Sequence, residues 1–325
     1  MATTAALPCR PLLVCCLLFT LTTASENAEI KYTVTATRNS NVPVIDKHRR
    51  PGSSVFDFNY NPANFHFNGT TYLMVRVQNK TTTNTNTATT TTTNNTDNNS
   101  PFPYGGPSVF AVSRVISPTE TTPITTSDVV FGDGIHDVED PRIVYDSVAE
   151  TWYMYYTKSE AGNSETCKGP NPCARLSVAT AKTNPTSSSS WVDHGPLWPK
   201  SDVAGFQWTK SGAVVPSSGG DPSINPHILI WSNWCTFNPW VSPLYVQIAY
   251  SYDSLLGPWV IAPSPLMTQR AAPAFDSYVL ESGPPPVKLS TGDWLFLYNG
   301  AKHCQSKRTP RTLVPRSSSF SPRFF

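Results

Sequence analysis

An all-β fold of the propeller type is predicted by two strand patterns that recur along the chain. Four aromatic-rich stretches are similar to one another: TYLMVRV (71–77), TWYMYYT (151–157), HILIWSN (227–233) and DWLFLYN (293–299). A second pattern, SVFAVSR, RLSVATA and YVQIAYS, places Ala111, Ala179 and Ala249 in matching positions, 68 and then 70 residues apart. A strand pair that recurs at such a period, with turn-rich connections between, is typical of propeller blades.

Four such blades are visible, and the sequence changes character where a fifth would begin. After Asn299 the chain reads GAKHCQSKRTPRTLVPRSSSFSPRFF, which is basic, rich in Ser and Pro, and without strand alternation. A propeller needs its last blade to close the ring, because an open edge strand is a liability. We therefore expect a five-bladed type of β-propeller whose last blade is truncated. The alternative is a two-sheet sandwich, which explains the strands but not the repeat.

The composition supports one large folded domain and excludes nucleic-acid binding. The 325 residues are 39% hydrophobic and 11% aromatic, which is enough to bury a large core within the size of a single all-β domain. The 31 prolines and the lack of a long helical apolar period favour short strands joined by turns. The formal net charge is only +2 with Lys and Arg scattered, so the chain has no electrostatic footprint for nucleic acid.

Residues 1–24 are predicted to be a secretory signal peptide. The apolar run from Leu12 to Leu21 is too short to span a bilayer, and small residues follow around Ala24. We expect the mature protein to be secreted, or to stay in the lumen of the secretory pathway, without a membrane attachment. Four N-x-S/T sequons agree with a glycosylated surface, at Asn68, Asn79, Asn94 and Asn98.

The predicted propeller domain, residues 25–303, carries one insertion and one candidate disulfide, and an irregular basic tail follows at 304–325. Residues 81–100 lack apolar side chains and are expected to form a polar loop outside the propeller. Cys167 and Cys173 flank KGPNP and suit a loop disulfide in an oxidising compartment. A zinc site is the rival, but no neighbouring Cys or His pair has ligand spacing, so we expect no metal and no cofactor.

Acidic residues crowd into GDGIHDVEDPRIVYD, residues 132–146, although only 14% of the chain is charged. One reading is structural: Asp140 caps a turn at the Asp-Pro step and Arg142 pairs with Glu139. A calcium loop fits less well, because the acids lack the regular alternation and the terminal Glu of such a loop. The third reading is catalytic: Asp137 and Glu139 would raise the pKa of Asp140 and Arg142 would lower it, with the net sign left open.

The same stretch resembles a signature of glycoside hydrolase family 130. HDVEDPRIVYD followed by TWYMYYT is similar to the family's GVEDPRI and YYMTYT. Other segments resemble the family's motifs in the same order: YNPANFHFNGTTYLMVRV, RLSVATAKT, TKSGAVVP, YVQIAYSYDSLLGPW and FDSYVLESGPPPVKLSTGDWLFLYNG. The resemblance covers about residues 55–300. Furanosidase propellers are the families most readily confused with it, since they share the fold and a carboxylate-based chemistry.

The resemblance implies a five-bladed propeller enzyme that cleaves β-mannosides by hydrolysis or phosphorolysis, with an oligosaccharide or glycan as its partner. Asp140 takes the position of the family's general acid. Trp208 is a candidate for stacking on a sugar ring. The substrate-binding positions implied are Asn61, Arg76, Arg142, Asp276 and Asn299, and Arg175 and Lys210 match basic positions of the phosphorylase pattern.

Two departures from the family pattern favour hydrolysis. A phosphorylase needs several cations and a His around inorganic phosphate, whereas a hydrolase needs a carboxylate to activate water. The His of the family's YHG motif is Asn299 here, and ESGPPP brings Glu281 to the position of Gly-Ala-Gly. We predict a secreted, inverting β-mannoside hydrolase with Asp140 as acid and Glu281 as base, their carboxyl carbons about 6.5 to 9.5 Å apart.

Three alternatives remain open at this point. One is a β-mannoside phosphorylase, which would use inorganic phosphate. Another is a purely structural role for Glu281, as the ion-pair partner of Lys288 or as a cap for the proline loop. The third is a glycan-binding propeller without catalysis, or an inactive truncated homologue, because a fold does not fix a function.

Overall fold

The computed structural model describes residues 14–19, 54, 56–79, 107–160, 173–198, 208–217, 221–234 and 244–302. This part of the chain consists of β-strands, with two short 3-10 turns at Thr126–Asp128 and Ser188–Ser190. Within it, no helix has the length and apolar character needed to cross a membrane.

The strands follow one another as short, turn-linked segments. In chain order they are β1 (Val14–Phe19), β2 (Phe58–Phe67), β3 (Thr70–Gln78), β4 (Val109–Ser117), β5 (Glu120–Thr121), β6 (Val129–Phe131), β7 (Asp137–Asp146), β8 (Thr151–Glu160), β9 (Cys173–Ala181), β10 (Trp191–Pro196), β11 (Trp208–Val215), β12 (His227–Trp234), β13 (Leu244–Ser251), β14 (Val260–Ile261), β15 (Met267–Thr268), β16 (Val279–Ser282), β17 (Val287–Lys288) and β18 (Trp294–Ala301).

Apart from β1, these strands form four antiparallel groups that succeed one another along the chain. Group I is the five-stranded sheet of β2 to β6. A nine-stranded sheet contains group II, β7 to β10, and group III, β11 to β15, and a single parallel bridge between Trp208 and Ala174 joins the two. Group IV is the four-stranded sheet in which β16, β17 and β1 all pair with β18. In each group the first strand pairs antiparallel with the aromatic-rich repeat strand.

The predicted pairing of the two repeat patterns is confirmed in groups I to III. In each group the aromatic strand runs antiparallel to the alanine-bearing strand: β3 with β4, β8 with β9, and β12 with β13. Ala111, Ala179 and Ala249 are all fully buried, each at 0% exposure. Each lies within an apolar cluster, so this position belongs to the core in all three groups.

The core lies between successive groups. Groups I and II share one apolar cluster, in which Phe65 meets Trp152 edge to face with ring centroids 5.7 Å apart. Groups II and III share a second cluster, built around Tyr155 and Trp231, and groups III and IV share a third, around Ile230 and Phe296. The two middle groups are therefore covered on both faces, which accounts for strands that are apolar on both sides, such as TWYMYYT. This serial packing differs from the single interface of a two-sheet sandwich.

Some of the sequence-based predictions concern residues outside the described part. They are the 81–100 insertion, the 304–325 tail, the sequons at Asn94 and Asn98, and Cys167, so the disulfide to Cys173 stays a prediction. Asn68 and Asn79 are exposed. Strand β1 lies within the predicted signal peptide and runs antiparallel to β18, with Val14 opposite Asn299; cleavage of that segment stays a prediction.

Candidate active site

The first strands of groups I, II and III share a β-bulge at the same place. The register shifts between Tyr60 and Ala63 in β2, between Glu139 and Arg142 in β7, and between Lys210 and Ala213 in β11. A β-bulge re-aims the side chains of its strand and often lies beside a functional site.

Each bulge contains one non-glycine residue in the left-handed region. These residues are Asn61, Asp140 and Ser211, with φ angles of 40°, 52° and 54°. Asn and Asp tolerate this region better than most residues because their short polar side chains form local hydrogen bonds. Each is followed by Pro or Gly, so the chain repeats a polar residue and a backbone-shaping residue at each bulge.

The three bulges bring their polar side chains together around Asp140. Asn61 Nδ2 donates a hydrogen bond to Asp140 Oδ1 at 2.5 Å. Ser211 Oγ lies 3.1 Å from Asp140 Oδ2 and 2.9 Å from Glu281 Oε1, on the first strand of group IV. The carboxyl oxygens of Asp140 and Glu281 that face Ser211 are thus within about 6 Å of each other. One point in the molecule receives a polar side chain from each of the four groups.

A chain of alternating charges surrounds this point. Arg76 Nη2 lies 2.8 Å from Asp137 Oδ2 and 3.4 Å from Glu139 Oε1. Lys210 Nζ lies 2.7 Å from Glu139 Oε2 and 3.6 Å from Asp140 Oδ2. The acids crowd in this stretch because they alternate with cations from β3 and β11, so that each buried charge has an opposite neighbour. The expected ion pair between Arg142 and Glu139 is wrong: among the described residues, Glu139 pairs with Arg76 and Lys210.

Arg142 instead ties group II to the proline loop of group IV. Its Nε donates to the carbonyl oxygen of Gly283 at 3.0 Å, and its Nη1 donates to the carbonyl oxygen of Pro141 at 2.9 Å. A side chain at Gly283 would meet the backbone of Leu297, so only glycine fits there. The Gly in ESGPPP is therefore explained by close backbone approach, next to Glu281.

Ser108 fixes the far end of the charged chain. Its backbone N–H donates to Asp137 Oδ1 at 2.9 Å, its hydroxyl also contacts that oxygen, and Arg76 Nε donates to its Oγ at 2.9 Å. The Arg76 guanidinium also lies over the Tyr60 ring, 5.2 Å from its centroid. Arg76 is thus held in one orientation by hydrogen bonds, ion pairs and an aromatic face.

The two buried carboxyl groups have pKa values displaced in opposite directions. Burial acts to raise the pKa of Asp140, but Lys210, Arg142, Arg76 and the Asn61 hydrogen bond together hold it below its ordinary value. Burial raises the pKa of Glu281, and the negative charge of Asp140 raises it further, although the positive charge of Lys210 acts to lower it. Burial works to lower the pKa of Lys210, but the carboxylates around it hold it above its ordinary value. In the free site, therefore, Asp140 is the ionised member of the pair and Glu281 holds its proton to a higher pH.

The remaining sequence-predicted residues lie around the site or apart from it. Asn299 on β18 is directly opposite Glu281 in the strand register. Arg175 is buried at 4% exposure on β9, beside the Ala174–Trp208 bridge that joins groups II and III. Asp276 is buried and accepts hydrogen bonds from Arg270 Nε at 2.7 Å and from Tyr298 at 2.9 Å, so its described contacts belong to a separate cluster.

The ion pair between Glu281 and Lys288, one form of the structural alternative, is not among the described contacts. Lys288 Nζ lies over the Trp294 ring, 5.9 Å from the centroid, while Glu281 contacts Ser211. Among the described residues, no group of His, Cys, Asp or Glu has the arrangement of a metal site.

Ser211 was missed by the sequence reasoning, although a signal for it exists. It lies 71 residues after Asp140 and 70 residues before Glu281, the same period as the buried alanines. The short segments YNPAN, EDPRI and KSGAV align in this way, and each has a small polar residue at its second position. Once the repeat is known, the same position in groups I, II and III marks the site.

Replacing Lys210 with Met should weaken the fold and move the pH dependence of the site upward. The side chain is only 13% exposed, and its loss leaves Glu139 and Asp140 with one cation fewer, so we expect the free energy of unfolding to fall by about 3 to 5 kcal/mol. Removing a cation that lowers the pKa of Asp140 raises that pKa, so each limb of a pH–activity profile should shift to higher pH.

A matched control is Lys158→Met. Lys158 Nζ lies 3.8 Å from Asp133 and 3.6 Å from Asp193, and both carboxylates are more than a third exposed. Loss of such a pair should cost about 1 kcal/mol or less. Denaturant unfolding and pH–activity profiles of both variants test the difference, and equal effects would contradict the buried role of Lys210.

Two buried carboxyl groups among paired cations fit acid–base chemistry on a polar substrate. Solved structures of other proteins resemble the fold of this chain. No family model and no curated protein matches the chain. A provisionally assigned glycoside hydrolase from Parabacteroides distasonis is 21% identical, with 77% of this chain and 64% of that chain covered, at a TM-score of 0.50. A glycosyl hydrolase from Bacteroides ovatus is 20% identical over 76% of this chain and 61% of that one, at a TM-score of 0.48.

A third solved structure belongs to glycoside hydrolase family 130, described as mannoside phosphorylases that contain hydrolases of β-1,2 mannosidic linkages in Candida mannan. It is 20% identical over 74% of this chain and 60% of that chain, at a TM-score of 0.47. The chain thus spans slightly less than two thirds of the length of these three proteins. At this level of identity the likeness establishes the fold: an all-β architecture of the kind found in propeller-type glycoside hydrolase families.

Proposed function

We propose that the protein is a carbohydrate-active enzyme that cleaves glycosidic bonds with Asp140 and Glu281. The observation that carries this proposal is the convergence of the two carboxyl groups on Ser211, where the first strands of all four groups meet. Most enzymes that cleave glycosidic bonds use two carboxyl groups on either side of the bond, one to protonate the leaving oxygen and one to act opposite it. The pKa values of the two groups are displaced apart, which is the usual sign that two carboxyl groups have different roles. In the free site the displacement leaves the proton on Glu281, so Asp140 must receive a proton before it can act as the acid.

The detailed assignment follows the family resemblance. We propose a secreted, inverting β-mannosidase of five-bladed propeller type with an incomplete last blade, in which Asp140 acts as general acid and Glu281 as general base. Serial packing of the four groups supports the propeller, and the exposed sequons at Asn68 and Asn79 support glycosylation. Arg76 and Arg142 are proposed to hold the sugar.

The contacts of the cationic side chains favour hydrolysis over phosphorolysis. Lys210 is paired with Glu139 and Asp140, and Arg142 donates to two backbone carbonyl oxygens. These groups balance the charge of the site rather than leaving an excess of positive charge for a phosphate dianion. Asn299 in place of His removes a further phosphate ligand of the family pattern.

We therefore expect turnover without phosphate. The purified chain is incubated with β-mannosides of different linkage, with and without inorganic phosphate, and the products are separated. The expected result is free mannose at the same rate in both buffers. Mannose 1-phosphate, with no reaction in phosphate-free buffer, would make the protein a phosphorylase; glycan binding without any cleavage would make it a binding protein.

A further inference from the structure

The hydroxyl of Ser211 contacts two carboxyl groups but has only one proton. Its Oγ lies 3.1 Å from Asp140 Oδ2 and 2.9 Å from Glu281 Oε1, and the residue is 1% exposed. A hydroxyl can donate one hydrogen bond and accept others. If both carboxyl groups were ionised, Ser211 could donate to only one of them. Its oxygen would then face an oxygen of the other carboxylate without a hydrogen bond, which is costly in a buried site. Both contacts are satisfied when one carboxyl group is protonated and donates to Ser211, while Ser211 donates to the other.

We propose that Ser211 relays a proton between Glu281 and Asp140 and so resets the two groups after each turnover. This inference rests on the proposed function, in which Asp140 is the acid and Glu281 the base. Ser211 acts through these two groups and is a positioning residue, not a group that contacts the glycosidic bond.

The relay balances the proton changes of an inverting cycle. Asp140 gives its proton to the leaving oxygen as the glycosidic C–O bond breaks, and Glu281 takes a proton from the water that forms the new C–O bond. Each turnover therefore ends with Asp140 ionised and Glu281 protonated. Transfer of the Glu281 proton to Ser211 Oγ, with transfer of the Ser211 proton to Asp140 Oδ2, restores a protonated acid and an ionised base. Ser211 ends as it began, and no further reactant is needed.

The charges around the free pair favour the state in which Glu281 holds the proton. The groups that face Asp140 and Glu281 come from groups I to III of the strands: Asn61, Arg76, Glu139, Arg142, Lys210 and Ser211. Their balance lowers the pKa of Asp140, while burial and the Asp140 charge raise the pKa of Glu281. Asp140 is thus ionised in the free pair, and the path through Ser211 is the route by which it receives the proton that it gives to the leaving oxygen.

The backbone at Ser211 supplies a matched pair of variants. At a φ of 54° Ala is strained and Gly is not, and both lack the hydroxyl. If the hydroxyl matters as a relay, Ser211→Ala and Ser211→Gly lose the same activity although their stabilities differ. If the residue only shapes the bulge, Ser211→Gly keeps the activity.

The first experiment measures the turnover of two substrates by the parent protein and by both variants at a series of pH values. A β-mannoside with an alcohol leaving group needs the acid, whereas a dinitrophenyl β-mannoside does not. We expect both variants to turn over the first substrate about 10-fold or more slowly near neutral pH, with a smaller loss at lower pH. The loss on the second substrate should be smaller, because that substrate needs an ionised Glu281 but no proton from Asp140. An equal loss on both substrates, or parental activity of Ser211→Gly, would overturn the relay while leaving the proposed function in place.

The second experiment does not depend on activity. Infrared spectra recorded across a pH titration should show a protonated carboxyl band that persists to higher pH than an ordinary Glu, that Glu281→Gln removes and that Ser211→Gly shifts. The absence of this band in the parent, or its persistence unshifted in Ser211→Gly, would contradict the shared proton. If the parent cleaves no glycoside, the proposed function fails and these spectra alone decide whether Ser211 joins the two groups.

Discussion

Replacing Asp140 with Asn should lower turnover by about 10² to 10⁴ on a β-mannoside that the parent cleaves, while the protein stays folded. Asn keeps the size of the side chain and tolerates the φ of 52°, so the bulge survives. It cannot supply the proton that the leaving group needs. Loss of the negative charge that faces Lys210 and Arg142 should cost about 1 to 3 kcal/mol of stability. Turnover and thermal midpoint are measured on the same sample.

The control for this variant comes from the same acidic stretch. Asp133 accepts hydrogen bonds from the backbone N–H groups of Ile135 and His136, at 2.9 and 2.8 Å, and its side chain is 40% exposed. Asp133→Asn keeps one acceptor oxygen and lies away from the carboxyl pair, so its rate should stay close to that of the parent. An unchanged rate in Asp140→Asn would mean that Asp140 is only a structural residue and that the catalytic assignment is wrong.

Replacing Glu281 with Gln should also lower turnover by about 10² to 10⁴, for a different reason. Gln still fills the space beside Ser211, but it cannot take a proton from the attacking water. Azide, which needs no deprotonation, should restore part of the rate and yield a glycosyl azide. Glu120→Gln, at an exposed position on β5, serves as the control and should behave as the parent does.

The leaving group separates the roles of the two carboxyl groups. A dinitrophenyl leaving group needs no proton, so it should recover much of the loss in Asp140→Asn and little of the loss in Glu281→Gln. The reverse pattern would assign Glu281 as the acid and Asp140 as the base. That exchange would keep the glycosidase proposal but would remove the need to return a proton to Asp140.

The strand repeat is the part of the fold that the sequence predicts best. A strand that is covered on both faces must be apolar on both faces, and a repeated strand pair leaves a periodic pattern, so TWYMYYT and the periodic alanines indicate both the strands and their antiparallel pairing. Strand β1 was not predicted as a strand, because its apolar residues fit a signal peptide equally well. Pairing of β1 with β18 depends on backbone hydrogen bonds, which leave little trace in the side-chain pattern.

The sequence predicts the two carboxyl groups of the candidate site, but it does not predict which charged side chains contact one another there. Asp140 and Glu281 carry recognisable motifs, whereas the partners of Glu139 depend on where strands from other groups pass. The sequence suggested Arg142, its neighbour along the chain, but the structure pairs Glu139 with Arg76 and Lys210. Residues next to each other on a strand point to opposite faces, and a bulge changes this alternation, so local spacing is a poor guide to ion pairs here.

The three bulges affect which substitutions the site can accept during evolution. Asn61, Asp140 and Ser211 occupy the same backbone position in three copies of one structural unit, and each tolerates a conformation that most residues avoid. An amide, a carboxylic acid and a hydroxyl are thus interchangeable in principle without rebuilding the strand. Three strand groups thus offer the same backbone position, and a substitution at one of these positions changes the chemistry of the site while the strand geometry stays the same.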